Sequence, residues 1–120
     1  MDERRKYIRF PVTLQARYEE RGGGGWKECS VIDISREGMG ISIYSREAII
    51  TGTGLRMEIT VPVTNEPVAM EGVLMWIREL HSDPHFNYIG GVRISSITAE
   101  NKWVLMDYAY EGWQQKEGKE

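Results

Sequence analysis

Through most of the first hundred positions, apolar residues alternate with polar ones. Val12, Leu14, Ala16 and Tyr18 interleave with Thr13, Gln15, Arg17 and Glu19, a period of two that predicts a strand with one buried face. Gly22 to Gly25 break the pattern and predict a flexible hairpin connection. Trp26 to Asp33 reads as a second strand, and Met39, Ile41 and Ile43 alternating with Gly40, Ser42 and Tyr44 as a third. After Ser45 to Gly54 the alternation returns in Leu55, Met57, Ile59 and Val61, closed by a Thr64-Asn65-Glu66-Pro67 turn. Val68 to Glu79 predicts a fifth strand and Tyr88 to Ile94 a sixth, joined by a loop rich in His, Ser, Asp and Pro. The expectation is a mainly β fold, a six-stranded antiparallel barrel that closes or nearly closes.

The period changes after Thr98. Trp103, Met106, Tyr110 and Trp113 recur at helical spacing, Thr98 is a suitable N-cap, and Glu100 falls in the first turn. A C-terminal helix over residues 98–115 follows, and its aromatic stripe is expected to lie on the barrel rather than on another protein. Without internal repeats or a linker, one domain is expected over residues 1–120: an N-terminal arm to residue 10, a barrel over 12–94, then the helix.

Composition narrows the function. The 120 residues are 41% hydrophobic, enough for one core. A net charge of −3 argues against broad attraction to nucleic acid or anionic membrane, so any anion site must be local. Arg4, Arg5, Lys6 and Arg9 concentrate positive charge in the first ten residues, favouring a small anionic ligand. One cysteine excludes an internal disulfide, and no segment reaches the ~20 apolar residues of a membrane span. The start of the chain lacks the apolar run of a signal peptide, so a cytoplasmic location is the expectation.

Two clusters carry candidate chemistry. A guanidinium can hold a phosphate through two parallel hydrogen bonds, grip guanine O6 and N7, or stack on a base. Arg5 and Arg9 stand four apart in the arm. Farther on, Asp33 and Ser35 are two apart, so in a strand their side chains would share a face, with a carboxylate able to accept guanine's N1 and N2 protons. Gly38 follows, suited to positive φ or to close backbone approach to a ligand.

Arg5 and Arg9 as RxxxR, with Asp33, Ser35 and Gly38 as (D/N)xSxxG, make the chain resemble a PilZ domain along nearly its whole length. Val73 to Trp76 and Gly90 to Ile94 echo its framework, although Ile94 stands where the family often has an aromatic. The resemblance implies a split-barrel type fold and binding of cyclic di-GMP by Arg4, Arg5, Arg9, Asp33, Ser35 and Gly38, without catalysis or cofactor. It also implies that Arg4, as a third guanidinium, goes with two stacked ligand molecules. Trp76 either offers a stacking face or is an ordinary core residue of its strand. With no output domain attached, the signal is expected to pass to a downstream protein through the rearranged arm.

Other features receive blander readings. His81 and His85 flank Asp83 and Pro84 in a loop that lacks the helical i,i+4 geometry of paired metal ligands, so no metal site is expected. Cys29 reads as a small buried apolar residue rather than a nucleophile. Nothing arranges carboxylates for acid–base work, and no enzyme is expected. The alternatives are a PilZ-like protein adaptor indifferent to nucleotide, favoured by the tail aromatics, and a small RNA-binding barrel, disfavoured by the negative charge.

Overall fold

Each alternating segment becomes an extended strand that turns its apolar set inward. The structure, a computed structural model, describes residues 8–81 and 85–117. Its elements are β1 (Phe10–Glu20), β2 (Lys27–Ile34), β3 (Gly38–Ile43), β4 (Gly54–Ile59), β5 (Val68–Glu79), β6 (Tyr88–Ser96) and α1 (Ala99–Glu117). The strands pair antiparallel in the closed order β1-β2-β3-β6-β5-β4. Closure pairs the sheet's two lateral edges with each other. Among the described residues no helix is long and apolar enough to cross a membrane.

The interior holds Leu14 and Tyr18 from β1, Val31 and Ile34 from β2, Ile41 and Ile43 from β3, with Met57, Ile59 and Leu74 opposite. Tyr18 is an exception within this apolar set. Its hydroxyl is buried with no hydrogen-bond partner among the described residues, and desolvation, aided by Cys29 and Glu20, pushes its pKa up to about 12. Burial likewise pushes the Cys29 thiol up to about 12, keeping it protonated. Outside, charges pair across strands: Arg17 with Glu58 at 2.6 Å, Arg21 with Glu71 at 2.8 Å.

β1 begins at Phe10, two residues before the alternation does, because Phe10 is buried and pairs with Ile34. Thr98 caps α1 through its Oγ1, which accepts the Asn101 amide at 3.1 Å. The helix packs on β1, β5 and β2, and the expected stripe follows in part: Met106 and Trp113 pack against the core and Tyr110 meets the buried Phe10 ring. Leu105 and Ala109 are its fully buried residues, whereas Trp103 is 66% exposed and Tyr110 42%. The buried face is centred on Leu105 and Ala109, with Met106 and Trp113 at its margin and Trp103 turned away.

Candidate functional site

The β2–β3 hairpin sets the first half of the site. Asp33 is the penultimate residue of β2, and its Oδ1 accepts the Gly40 amide of β3 at 2.8 Å. The same oxygen accepts a hydrogen bond from Arg9 Nη1 at 2.8 Å, a partly exposed ion pair. Arg9 stands just ahead of β1, and the Phe10–Ile34 pairing brings it beside Asp33. Among the described residues no donor occupies Asp33 Oδ2, and the remaining N–H groups of Arg9 make no hydrogen bond. The pair therefore presents an open acceptor beside open donors.

Ser35 lies beyond the last residue of β2, where the period-two rule stops applying. It is 7% exposed, its amide donates to the Gly38 carbonyl at 2.8 Å, and its hydroxyl donates to the same oxygen at 3.3 Å. Its observed contacts are thus those that close the hairpin turn, not a surface shared with Asp33. Gly38 does not adopt positive φ. A Cβ there would collide with the Val92 carbonyl of β6, so close approach to a neighbouring strand is what requires glycine. Arg4 and Arg5 lie outside the described residues, as do Asp83 and Pro84.

The second half comes from β5. Asp33 pairs with Gly40, Gly40 with Gly91, and Gly91 with Trp76, one row across four adjacent strands. The two middle positions have no side chain, and the outer two lean over them. A Cβ on Gly40 would meet the Asp33 carboxylate at 2.9 Å, and one on Gly91 would run into the Trp76 indole. A register shift between Leu74 and Trp76 turns Met75 and Trp76 both outward, and Trp76 is 43% exposed. Trp76 is therefore a surface residue and not part of the core. With its pyrrole ring resting on Gly91, it can offer its other face to a planar ring.

Gly40 and Gly91 are the members of this row that motif reading passes over. The available signal was glycine inside a strand, which marks close backbone approach. Together the row offers a carboxylate acceptor, a guanidinium and an aromatic platform around a floor free of side chains. That combination suits a planar, hydrogen-bonding, anionic molecule. Among the described residues no group of three or more His, Cys, Asp or Glu converges to hold a metal ion.

Comparison with known proteins follows the same lines. A family model described as the PilZ domain matches residues 3–111. No curated protein sequence matches the chain. Among solved structures, the inhibitor of motility MotI/DgrA of Bacillus subtilis superposes with a TM-score of 0.77 at 18% identity, over 99% of this chain and 54% of that one. This chain thus spans about half the length of that relative. The PilZ domain of YcgR from Escherichia coli, solved with c-di-GMP, gives 0.73 at 14% identity, over 98% of this chain and 100% of that one. MrkH of K. pneumonia in its apo state gives 0.75 at 11%, over 100% and 55%. At these identities the structural likeness carries the fold alone.

Proposed function

The chain belongs to the PilZ domain family, whose model spans residues 3–111, and on that premise we propose that it is a receptor for cyclic di-GMP. The observation that carries the proposal is the Arg9–Asp33 contact at one end of the glycine row that ends in Trp76. In this reading Asp33 Oδ2 accepts from a guanine edge. The free N–H groups of Arg9 engage phosphate or guanine O6 and N7, and Trp76 stacks on a base. The ligand in the YcgR structure named above has the chemistry this arrangement would take: two guanines and two phosphates.

Arg4 and Arg5 join Arg9 in the proposal as the arm's further guanidiniums, with Arg4 favouring two stacked ligands. Ser35 and Gly38 then act on the ligand through the hairpin they shape. In this reading Arg9 is held by Asp33 before ligand arrives, and any arm residue that ligand fixes costs about 1 to 2 kcal/mol. Charge-assisted hydrogen bonds of about 1.5 to 3 kcal/mol apiece offset that cost. The ordered arm then passes the signal to a partner protein, and no chemical step is assigned to the chain.

Calorimetric titration with cyclic di-GMP tests this. A saturable heat, a raised melting temperature and a stoichiometry near two are expected, with loss of binding in Asp33→Ala. Absence of heat and of any melting shift at saturating ligand contradicts it. A second reading, a nucleotide-independent adaptor, is favoured by the exposed Trp103 and Tyr110 of α1. Partner binding indifferent both to nucleotide and to Arg9→Ala would support that reading instead.

A further inference from the structure

The outer face of α1 has a composition that neither the barrel nor the proposed ligand site accounts for. Its exposed positions include Glu100, Trp103, Asp107, Tyr110 and Glu111, spaced so that acids and aromatics alternate along one side of the helix. Among the described side chains of α1, no exposed position carries Lys or Arg. Trp103 and Tyr110 stand seven residues apart, about two turns or ~10 Å along the axis. Beside them opens a cavity of about 540 Å³ whose walls include Ile8, Phe10 and Met106. Arg36 also lines it and is already engaged within the chain.

Elsewhere the molecule shows what such a composition holds. Arg17 lies 4.6 Å above the Trp26 ring while its Nε and Nη2 donate to Glu58 Oε1 at 2.9 and 2.6 Å. Arg56 lies 5.6 Å from the same ring and pairs with Glu19 at 3.4 Å. A tryptophan beside an acid thus takes a guanidinium, which stacks on the ring and bonds the carboxylate at once. On α1 the same aromatics and acids recur on an exposed face.

We propose that this face of α1 docks a partner protein through an amphipathic segment bearing arginine. Its guanidiniums stack on Trp103 and Tyr110 and pair with Glu100, Asp107 and Glu111, while an apolar side chain enters the cavity walled by Ile8, Phe10 and Met106. The acidic surround sets the sign of the partner, and the aromatic faces select guanidinium over ammonium. The docking stands whether or not the barrel face binds nucleotide, so its test needs no ligand.

The test is a titration of the labelled full chain with a synthetic helical peptide in which leucine and arginine recur at i, i+3 and i+4. Lysine and glutamate versions serve as comparators at the same ionic strength. The arginine peptide should shift the Trp103 indole N–H saturably, the lysine peptide should bind several-fold more weakly, and the glutamate peptide should not bind. Trp103→Ala, followed by the backbone amides of α1, should abolish peptide binding while leaving the rest of the spectrum in place, since the Trp103 side chain is 66% exposed. Asp107→Asn with Glu111→Gln should weaken it. An unmoved Trp103, equal binding of the lysine peptide, or concentration-dependent shifts without peptide, which would assign the face to a second copy of this chain, each overturns the proposal.

Discussion

Arg9 and Phe10 are neighbours in the chain whose side chains engage different elements. Arg9 Nη1 bonds Asp33 Oδ1 at 2.8 Å on the barrel's outer surface. The Phe10 ring stands edge-on to Tyr110 and Trp113 of α1, with centroids 5.9 and 5.7 Å away. One peptide unit therefore joins the candidate ligand site to the C-terminal helix, and a ligand that re-aims Arg9 pulls on the packing of that helix.

Phe10→Ala is expected to lower stability by about 3 kcal/mol, since it truncates a buried ring that touches two aromatics. Urea unfolding measures this. At a temperature where the variant stays folded, its affinity for cyclic di-GMP should also fall, because the segment that carries Arg9 has lost its anchor.

Arg9→Lys keeps the charge but not the planar fork. The pair with Asp33 is partly exposed, so its contribution to stability is about 1 kcal/mol or less and the melting temperature without ligand should barely move. Ligand affinity should nevertheless drop about tenfold or more, as lysine cannot make the paired hydrogen bonds. Calorimetry on both proteins checks this, and equal affinity contradicts the role given to Arg9.

Gly91→Ala places a methyl group into the Trp76 indole. The variant is expected to lose about 1 to 3 kcal/mol and to displace the ring. In a Trp76→Ala background the same change should cost much less, so the double-mutant cycle should show clear coupling. Additive effects in thermal unfolding would mean that the indole does not rest on Gly91.

How far these features could be read from sequence differs by element. Strands such as β1 were legible because one face is buried, which forces the period of two in Leu14, Ala16 and Tyr18, whereas β3 is buried at all six positions and showed its alternation only in residue type. The existence of α1 and its cap at Thr98 were legible for the same kind of local reason. Its orientation was not, because periodicity shows which residues share a face but not which face the barrel end can approach closely. Leu105 and Ala109 took that place from Trp103. The outward turn of Trp76 depends on a register shift against β6, a non-local property that no alternation within β5 reveals. Asp33 was legible from its motif, but its contact with Gly40 and the empty floor beyond it required the pairing of four strands.

Tyr18 carries a buried hydroxyl with no partner among the described residues. Tyr18→Phe should therefore leave stability unchanged or raise it by about 1 kcal/mol. The folded-state pKa of Tyr18 is raised from 10.0 to about 12, so the folded chain holds this proton more tightly than the unfolded one. The associated stability is complete below pH 10 and is lost as pH rises from 10 toward 12. Cys29, raised from 9.0 to about 12, adds a loss of the same sign beginning near pH 9. Denaturant titrations across this range should show alkaline destabilisation that is shallower in Tyr18→Phe.

The most direct measurement is a titration of the labelled chain with cyclic di-GMP followed by NMR. The proposed clasp predicts that the Gly40 amide, the Gly91 amide, the Trp76 indole N–H and the Arg9 side-chain N–H move together and saturate at one common affinity. Shifts confined to other parts of the barrel, or none at all at saturating ligand, would contradict it.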